Sequence, residues 1–513
     1  MAANIEIGAS PEGVQSMALK RANRHGLIAG ATGTGKTVTL QVLAEAFARA
    51  GVNVFAADIK GDLSGCAANG DPAPAWAVAR AGEINLPLTP EAMPAVFWDV
   101  YGELGHPVRT TVTEMGPVLM GRVLEATDAQ AGALTIAFRI ADDWIKAGKN
   151  EGLLLDLNDL RALLTYLSEN SEDIGKQYGL VTPQSIAALQ RKLLQLEMDG
   201  ADHFFGEPAF NLDELLRTRE DGKGTINILA SERLVQSPRL YSAFLLWLMS
   251  ELWEELPEVG DQDKPKLVFF FDEAHLLFRD APKELVNKVE QVVRLIRSKG
   301  VGIYFVTQSP ADIPEIVLSQ LGNRFQHALR AYTPSDQKAV RAAAQSFRAN
   351  ENVDVAKEIQ ELNVGEALVS TLDEKGAPTP VARTKIRPPN SHVGPILLAE
   401  RQAMMRANTS GRAYEKAVDR ESAHEILGRR AAQAAEATAR EEEREAREKE
   451  AARSSRGTTS RSSGGASRAK STRSSGSRTT AVERQTGRVA SGVMNTLVRE
   501  LMRGILGTPR RRR

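Results

Sequence analysis

The stretch Gly30-Ala31-Thr32-Gly33-Thr34-Gly35-Lys36-Thr37 decides the fold of this 513-residue chain. It matches G-x-x-x-x-G-K-[ST], a pattern whose glycines let backbone N–H groups turn inward around phosphate oxygens at the start of a helix. The lysine of this pattern reaches the β- and γ-phosphates of a nucleotide, and the hydroxyl at the position of Thr37 joins a magnesium shell. The eight residues therefore predict a binding site for ATP and Mg²⁺.

The residues on either side of this loop supply the context that such a motif requires. The apolar run HGLIAG leads into it, and TVTLQVLAEAFARA follows with Leu40, Leu43 and Phe47 at helical spacing. VNVFAAD then resumes a strand-like pattern. The order of strand, loop, helix and strand predicts a βαβ unit of a parallel sheet, and it disfavours the alternative of an incidental glycine turn.

The same alternation returns later in the chain and predicts a doubly wound α/β fold. Strand-like runs are TINILAS, LVFFFDEAH, GIYFVTQ, QHALRAY and EALVSTL, with a helix predicted from Pro282 to Lys299. We expect a core formed by residues 1–65 and 221–390. Helical periodicity, including a helix that begins at Thr182-Pro183, predicts a mostly helical insertion over residues 66–220.

Beyond the core the composition changes three times. Residues 400–452 are rich in Ala, Arg and Glu and predict a charged helix. A solvated helix is favoured over a short coiled coil, because apolar heptad positions are mostly missing. Residues 453–480 consist largely of Ser, Arg, Gly and Thr without a carboxylate and predict a disordered basic linker. Residues 485–507 regain helical spacing and predict an amphipathic C-terminal helix.

Charge is divided unevenly although the chain as a whole holds 65 basic and 65 acidic residues. Residues 453–513 contain 15 Lys and Arg against two Glu, so the remainder is acidic. Any broad attraction to a polyanion is therefore expected in this C-terminal tail. Its amphipathic segment suits a groove on a partner protein, an anionic membrane surface or, as the alternative, the chain's own ATPase core.

Three further features fit the expectation of a cytoplasmic protein. No run of about 18 apolar residues occurs, and the N-terminus has neither a basic start nor an apolar stretch. Cys66 is the single cysteine, which excludes an intramolecular disulfide and a cysteine-based zinc site.

An acidic pair follows the apolar run Leu267–Phe271. A buried strand would deliver Asp272 and Glu273 to its carboxyl end. In that position Asp272 can hold magnesium through a water molecule, and Glu273 can orient and deprotonate the attacking water. The alternative, a simple helix cap, explains such a pair equally well when no phosphate loop accompanies it.

The phosphate loop, the FFFDEAH strand and RLIRSKGVGIYFVTQSP together resemble the HerA–FtsK family of ring-forming P-loop ATPases. The resemblance covers roughly residues 1–65 and 224–345. It implies a RecA-like core, ATP hydrolysis and a homo-oligomeric, hexameric ring. HerA proper carries a β-barrel before this core, whereas here the motif begins at residue 30. The chain is therefore most similar to a HerA-like bacterial branch that lacks the N-terminal β-barrel.

The resemblance also assigns roles to particular residues. Gln308, at the end of GIYFVTQ, matches the family's γ-phosphate sensor, the alternative being an ordinary polar residue at a strand end. The arginine that the family supplies from a neighbouring subunit matches Arg324 first and Arg330 second, with a surface ion pair as the alternative. Asp58-Ile-Lys60-Gly61-Asp62 resembles a family stretch near the nucleotide, or forms a simple glycine turn.

The resemblance implies a motor that couples hydrolysis to movement of a polymer, with DNA as the first candidate. Two alternatives remain open at this stage. One is an ATP-driven engine for protein export or conjugation, and the other is a nucleotide-dependent scaffold that hydrolyses slowly.

Overall fold

A computed structural model describes residues 4–457 apart from residues 261 and 280. The chain divides into two compact units, with the boundary between Glu436 and Ala437. The disordered linker predicted at 453–480 is helical over residues 453–457, and the rest of it lies outside the described residues, as does the predicted C-terminal helix at 485–507.

One sheet organises the first unit. Its strands are β1 (Asn4–Ser10), β2 (Gly13–Ala18), β3 (Gly26–Ala29), β4 (Asn53–Asp58), β5 (Ala95–Asp99), β6 (His106–Pro107), β7 (Ile226–Ala230), β8 (Leu267–Phe271), β9 (Val301–Thr307), β10 (Asn323–Gln326), β11 (Glu366–Ser370) and β12 (Ala382–Ile386). Their spatial order in this 12-stranded sheet is β2-β1-β12-β11-β10-β3-β9-β8-β4-β7-β5-β6. The strands from β10 to β6 in that order are mutually parallel, and the other four pair antiparallel.

Helices connect the strands and cover the sheet. They are α1 (Lys36–Arg49), α2 (Ala75–Glu83), α3 (Val112–Val123), α4 (Asp128–Lys146), α5 (Leu157–Glu169), α6 (Ser171–Tyr178), α7 (Pro183–Met198), α8 (Asp213–Leu216), α9 (Pro238–Glu255), α10 (Lys283–Leu295), α11 (Glu315–Leu318), α12 (Pro334–Gln345), α13 (Val355–Glu361), α14 (Leu398–Ala407) and α15 (Ala423–Gly457). The predicted α/β class with a RecA-like, parallel core is confirmed.

The core lies on both faces of the sheet, as the apolar strands predict. In β8 successive side chains alternate between the two faces. Phe269 and Phe271 pack with the larger cluster beneath α9 and α10, whereas Phe270 packs with Phe47 of α1 and Tyr304 of β9. The side chains of β8 therefore contribute to the hydrophobic clusters on both faces of the sheet, and the strand is followed directly by Asp272.

The region 66–220 is helical from α3 to α8 but also contributes strands. β5 pairs with β7 in parallel and β6 pairs with β5, so this region extends the edge of the core sheet instead of standing apart from it. Tertiary pairing here outweighs the local helical composition. The prediction of a strand over QHALRAY was wrong. The strand is Asn323–Gln326, and the following Ala328 and Leu329 pack in a small cluster with α12 and α13.

The predicted continuous helix over 400–452 is interrupted, because α14 ends at Ala407 and α15 begins at Ala423. Tertiary contacts stabilise the non-helical segment between α14 and α15. Gly411 lies against the ring of His106, and the ring centroid of Tyr414 lies 5.7 Å from that of Trp98. Within α15, residues 428–451 are exposed, and pairs such as Arg447 with Glu443 at 2.7 Å lie one turn apart.

A strap formed by residues 387–397 crosses α1 after the last strand. The carboxylate of Glu45, in the third turn of α1, accepts hydrogen bonds from the backbone N–H groups of Asn390 (2.8 Å) and Ser391 (3.0 Å). Gln41 donates to the hydroxyl of Ser391 at 2.7 Å. The strap thereby holds α1, the helix that follows the phosphate loop, in place against the core.

Among the described residues, no helix combines the length and apolar composition that crossing a membrane requires.

Replacing Phe270 with alanine tests the packing of the core. The ring is fully buried between α1 and β9, so Phe270→Ala should lower the free energy of unfolding by about 3–5 kcal/mol. Urea denaturation followed by circular dichroism measures the change. The matched control is Leu180→Ala, since Leu180 is 83% exposed and its loss should cost no more than about 0.5 kcal/mol. Equal midpoints for the two variants would contradict the proposed core.

Candidate active site

The glycine-rich loop Gly30–Thr37 joins β3 to α1 at the carboxyl edge of the parallel strands. Two backbone hydrogen bonds anchor its beginning. The N–H of Gly30 donates to the carbonyl of Thr307 at 3.2 Å, and that of Ala31 donates to the carbonyl of Ala328 at 2.8 Å. The loop is thus tied to the ends of both strands that flank β3.

Three glycines give the loop its concave path. Gly30, Gly33 and Gly35 have φ of 155°, 77° and 109°, a region that L side chains rarely adopt. A Cβ on Gly30 would lie 2.5 Å from the Cβ of His327, and one on Gly35 would lie 3.2 Å from the Cα of Gly365. Backbone N–H groups can therefore face the hollow only because these positions lack side chains.

The tip of the loop is open while its base is held. Thr32 and Gly33 are exposed. The hydroxyl of Thr34 donates to the carbonyl of Ala31 at 2.7 Å, and the carbonyl of Thr34 accepts from the N–H of Gly365 at 3.0 Å. A ligand can reach the tip without moving the anchored part.

Lys36 and Thr37 open helix α1, where the first N–H groups have no acceptor within the helix and attract negative charge. The ammonium of Lys36 donates to the carbonyls of Gly30 (2.7 Å) and Ala31 (3.1 Å), so it lies over the loop. Burial lowers the pKa of Lys36, and the carboxylate of Glu273 partly opposes this effect. Thr37 is half-buried beside it.

The predicted acidic pair lies at the same edge. β8 is separated from β3 by β9 alone, and all three strands run in parallel. Asp272 and Glu273 directly follow the buried end of β8 and are 6% and 7% exposed. Glu273 has φ of 46° and ψ of 47°, a left-handed conformation that costs a non-glycine residue about 1–2 kcal/mol. Its strained backbone is held in part by a 2.9 Å hydrogen bond from its N–H to Asp272 Oδ1.

Three side chains surround the carboxylate of Glu273. Lys60 Nζ donates to its Oε1 at 2.6 Å, Gln308 Nε2 donates to its Oε2 at 3.3 Å, and His275 Nδ1 lies 3.3 Å from Oε2. Burial alone would raise the pKa of Glu273, but the hydrogen bond and charge of Lys60 and the amide of Gln308 hold the pKa below its ordinary value. Burial raises the pKa of neighbouring Asp272.

The stretch Asp58–Asp62 is both a glycine turn and part of the site. The carboxylate of Asp58 accepts from the N–H groups of Lys60 (3.2 Å), Gly61 (2.9 Å) and Leu63 (3.0 Å), and Gly61 has φ of 79°. Burial and the nearby carboxylates of Glu232 and Asp272 raise the pKa of Asp58 to about 7. Because Ala57 pairs with Phe271, this turn lies directly beside the acidic pair.

The sequence-predicted arginines lie apart from this cluster. Arg324 stands in β10, two residues before the strand ends, and its guanidinium donates to the carbonyls of Leu318 and Leu321 at 3.2 Å each. Arg330 is exposed beyond the carboxyl end of β10 and donates to the carbonyl of Gln360 at 2.8 Å. Among the described residues, the contacts of both guanidinium groups are to carbonyls away from the loop and the acidic pair.

Sequence reasoning missed His327, which supports the loop from beneath. Its Nε2 lies 2.9 Å from the hydroxyl of Thr39 in α1, and its backbone N–H donates to the carbonyl of Ala29 at 2.7 Å. Burial lowers the pKa of His327 to about 4, so the ring is neutral at pH 7 and adds no charge near Lys36. A lone histidine in an apolar stretch gave no signal for this role.

The donor set fits a nucleoside triphosphate with Mg²⁺. The hollow above the loop is lined by glycine backbone, Lys36 and the start of a helix. Thr37 and Asp272 supply a hydroxyl and a carboxylate, the hard oxygen ligands that Mg²⁺ takes together with substrate phosphates.

A phosphate loop on a parallel sheet, with an acidic pair on the strand two places away, defines a P-loop ATPase. The sequence matches the family described as Helicase HerA-like C-terminal over residues 5–513, and the chain belongs to that family.

Two curated relatives are probable helicases of Methanocaldococcus jannaschii. One is 29% identical over 156 residues, which are 28% of this chain and 28% of the relative. The other is 33% identical over 113 residues, which are 21% of this chain and 20% of the relative. The chain thus matches less than a third of either relative's length.

Solved structures with a distant likeness include the bacterial conjugative coupling protein TrwBdeltaN70, at a TM-score of 0.48 and 16% identity over 75% of this chain and 91% of that one. VirB4 of Thermoanaerobacter pseudethanolicus has a TM-score of 0.46 and 15% identity over 75% of this chain and 97% of that one. At this distance they add nothing to the topology itself.

Proposed function

We propose that this chain binds ATP with Mg²⁺, hydrolyses it between the subunits of a homo-oligomeric, hexameric ring, and uses the energy to move DNA. The observation that carries the proposal is the placement of Glu273 and the phosphate loop at one edge of the sheet, with only β9 between their strands. Membership of the HerA-like family supports the assignment of a motor.

Binding falls to the loop and to its first helical residues. Backbone N–H groups of residues 30–37 surround the phosphates, and Lys36 leaves the carbonyls of Gly30 and Ala31 to meet them. Thr37, and Asp272 through a water molecule, would hold Mg²⁺, which would supply positive charge to offset that of the phosphate oxygens. The anchoring of the loop at both flanking strands means that little backbone has to be ordered on binding.

Hydrolysis requires a base and a sensor at the γ-phosphate. Glu273 takes the proton of the water that attacks the γ-phosphorus, while the bond to the bridging oxygen breaks to give ADP and phosphate. Gln308 holds the Oε2 of this carboxylate at 3.3 Å and is exposed toward the edge, where it can report the presence of the γ-phosphate.

An arginine from the neighbouring subunit completes the site. We assign this role to Arg330, because its guanidinium is exposed beyond the end of β10, whereas that of Arg324 is bonded to two carbonyls of its own chain. A planar guanidinium suits the equatorial oxygens of a transferring phosphoryl group, where charge accumulates.

Glu273→Gln should retain ATP binding and lose hydrolysis, because the amide keeps the shape of the carboxylate but takes no proton. A positioned base contributes roughly 10²–10⁴-fold to the rate, and phosphate release measures the loss. Lys36→Ala is the matched comparison: it should weaken binding of a fluorescent ATP analogue by more than about 100-fold, since charge-assisted contacts to phosphate are lost. Turnover by Glu273→Gln near the parent rate would exclude Glu273 as the base.

Arg330→Ala should leave ATP binding unchanged and lower turnover of the assembled ring by about 10³–10⁵-fold. Mixing it with Lys36→Ala subunits should restore part of the activity, because a site is intact wherever an Arg330→Ala subunit supplies the loop and its Lys36→Ala neighbour supplies the arginine. Turnover against mixing ratio is the measurement. Arg324→Ala serves as the comparison. The assignment would be reversed if Arg324→Ala, and not Arg330→Ala, showed a loss of turnover that Lys36→Ala subunits rescue.

DNA is proposed as the polymer because the basic residues are concentrated in the tail at 453–513, on an otherwise acidic chain. Turnover should rise several-fold with duplex DNA at low salt and fall back as salt screens the phosphates. The assay compares duplex DNA, single-stranded DNA and RNA at matched nucleotide concentration. Turnover that no nucleic acid changes would exclude a nucleic-acid track and favour a protein substrate or a scaffold.

A further inference from the structure

Lys60 forms the shortest of the three contacts to Glu273 described above, with its ammonium 2.6 Å from Oε1. This contact occupies the carboxylate oxygen that is not engaged by Gln308. A water molecule that approaches Oε1 therefore meets a charged donor already bound there, although each carboxylate oxygen has a second lone pair. In this structure the ammonium of Lys60 thus obstructs the base, and its departure would clear Oε1 for the attacking water.

Only side chains can provide that movement, because the backbone on both sides is fixed. The carboxylate of Asp58 holds the N–H groups of Lys60 and of Gly61, and the N–H of Glu273 is bonded to Asp272. Glu273 is 7% exposed, which leaves its carboxylate little room. The lysine side chain is 40% exposed and has a flexible four-carbon stem, so it is the partner that can swing.

The position of Gln308 indicates where the ammonium can go. Lys60 Nζ and Gln308 Nε2 bind opposite oxygens of one carboxylate at 2.6 and 3.3 Å, which keeps the two nitrogens within about 8 Å of each other. Gln308 follows β9, the strand beside the phosphate loop. A γ-phosphate that contacts the side-chain amide of Gln308 would therefore also lie close enough for the ammonium of Lys60 to reach it.

Charge gives the direction of the movement. At this edge the two cations Lys36 and Lys60 face the carboxylates of Asp272 and Glu273, and further carboxylates (Asp58 and Asp62) lie close by. A nucleoside triphosphate with Mg²⁺ adds net negative charge to the site. The negative charge at the position of the γ-phosphate is greater with ATP bound than with ADP bound, because ADP has no phosphate there. A hydrated point charge on a flexible stem follows the stronger anion.

We propose that Lys60 is a switch that distinguishes ATP from ADP. Without a γ-phosphate its ammonium binds Glu273 and masks the base; with ATP bound, the ammonium moves to the γ-phosphate and frees the carboxylate. This inference rests on the proposed function, and it makes the unmasking of the base a consequence of correct substrate binding. Idle proton transfer at an empty or ADP-filled site is thereby suppressed.

Carbodiimide crosslinking of the full, unaltered chain tests the switch, since the reagent joins an amine to a carboxylate only when the two are in contact. Peptide mass spectrometry quantifies the Lys60–Glu273 crosslink without nucleotide, with Mg-ADP and with a non-hydrolysable Mg-ATP analogue. We expect the crosslink in the first two states and a loss of about tenfold in the third. The matched control is the pair of Lys223 with Glu91, which should crosslink equally in all three states.

Either of two crosslinking results would overturn the proposal: a crosslink that persists with the ATP analogue, or one that falls equally with ADP. So would failure to crosslink without nucleotide while the control pair reacts. Because this arm uses no substitution, a folding defect cannot produce any of these results.

Affinity provides a second readout that is independent of turnover. In a Glu273→Gln background, adding Lys60→Met should weaken the ATP analogue about tenfold or more, the effect of one charge-assisted hydrogen bond, and leave ADP within about twofold. Equal affinities in the single and double variants would mean that Lys60 does not reach the γ-phosphate. A parent chain that binds neither nucleotide would instead refute the proposed function, whereas an active parent with an unresponsive crosslink refutes the switch alone.

Discussion

Parallel pairing of β3, β9, β8 and β4 is the constraint on which the site depends. Parallel strands end at the same edge of a sheet, so residues distant in sequence reach one place without any direct link between them. Gly30, Thr307, Asp272 and Asp58 stand at four such ends, in the spatial order of their strands. Because the strands are buried on both faces, packing fixes their register. The backbone at the carboxyl edge of the sheet is therefore held in a defined position. The flexible parts are then confined to side chains such as Lys36 and Lys60.

Motifs and buried strands could be predicted from the sequence because their physical requirements are local. A glycine loop between an apolar strand and an amphipathic helix has few other uses, and LVFFF is too apolar to lie anywhere but in the core. The sequence equally identified Asp272 and Glu273 as a pair at a strand end. It could not identify which groups hold Glu273, since the contacts with Lys60 and Gln308 join residues 213 and 35 positions apart.

Elements that depend on distant partners were the ones that sequence reasoning misplaced. The alternation in QHALRAY is typical of a strand, yet Ala328 and Leu329 pack against α12 and α13. The Ala-Arg-Glu region reads as one helix, yet Tyr414 is drawn into an aromatic group with Trp98 and Phe210 and the helix breaks there. His327 gave no signal because its partners, Thr39 and the glycines of the loop, are almost 300 residues away.

The strap at 387–397 and the strand order carry a consequence for biosynthesis. The phosphate loop is made early, whereas the strands on both sides of β3 are made much later, and the residues that bond to Glu45 are made later still. At roughly 5–20 residues per second, a ribosome needs about 20–70 s to travel from the loop to Ser391. During this interval β3 lacks both neighbours until β9 and β10 have been made, and the strap can bond to α1 only after that. The nascent chain therefore exposes the unpaired edges of β3 until most of the core has been made, and unpaired strand edges favour aggregation.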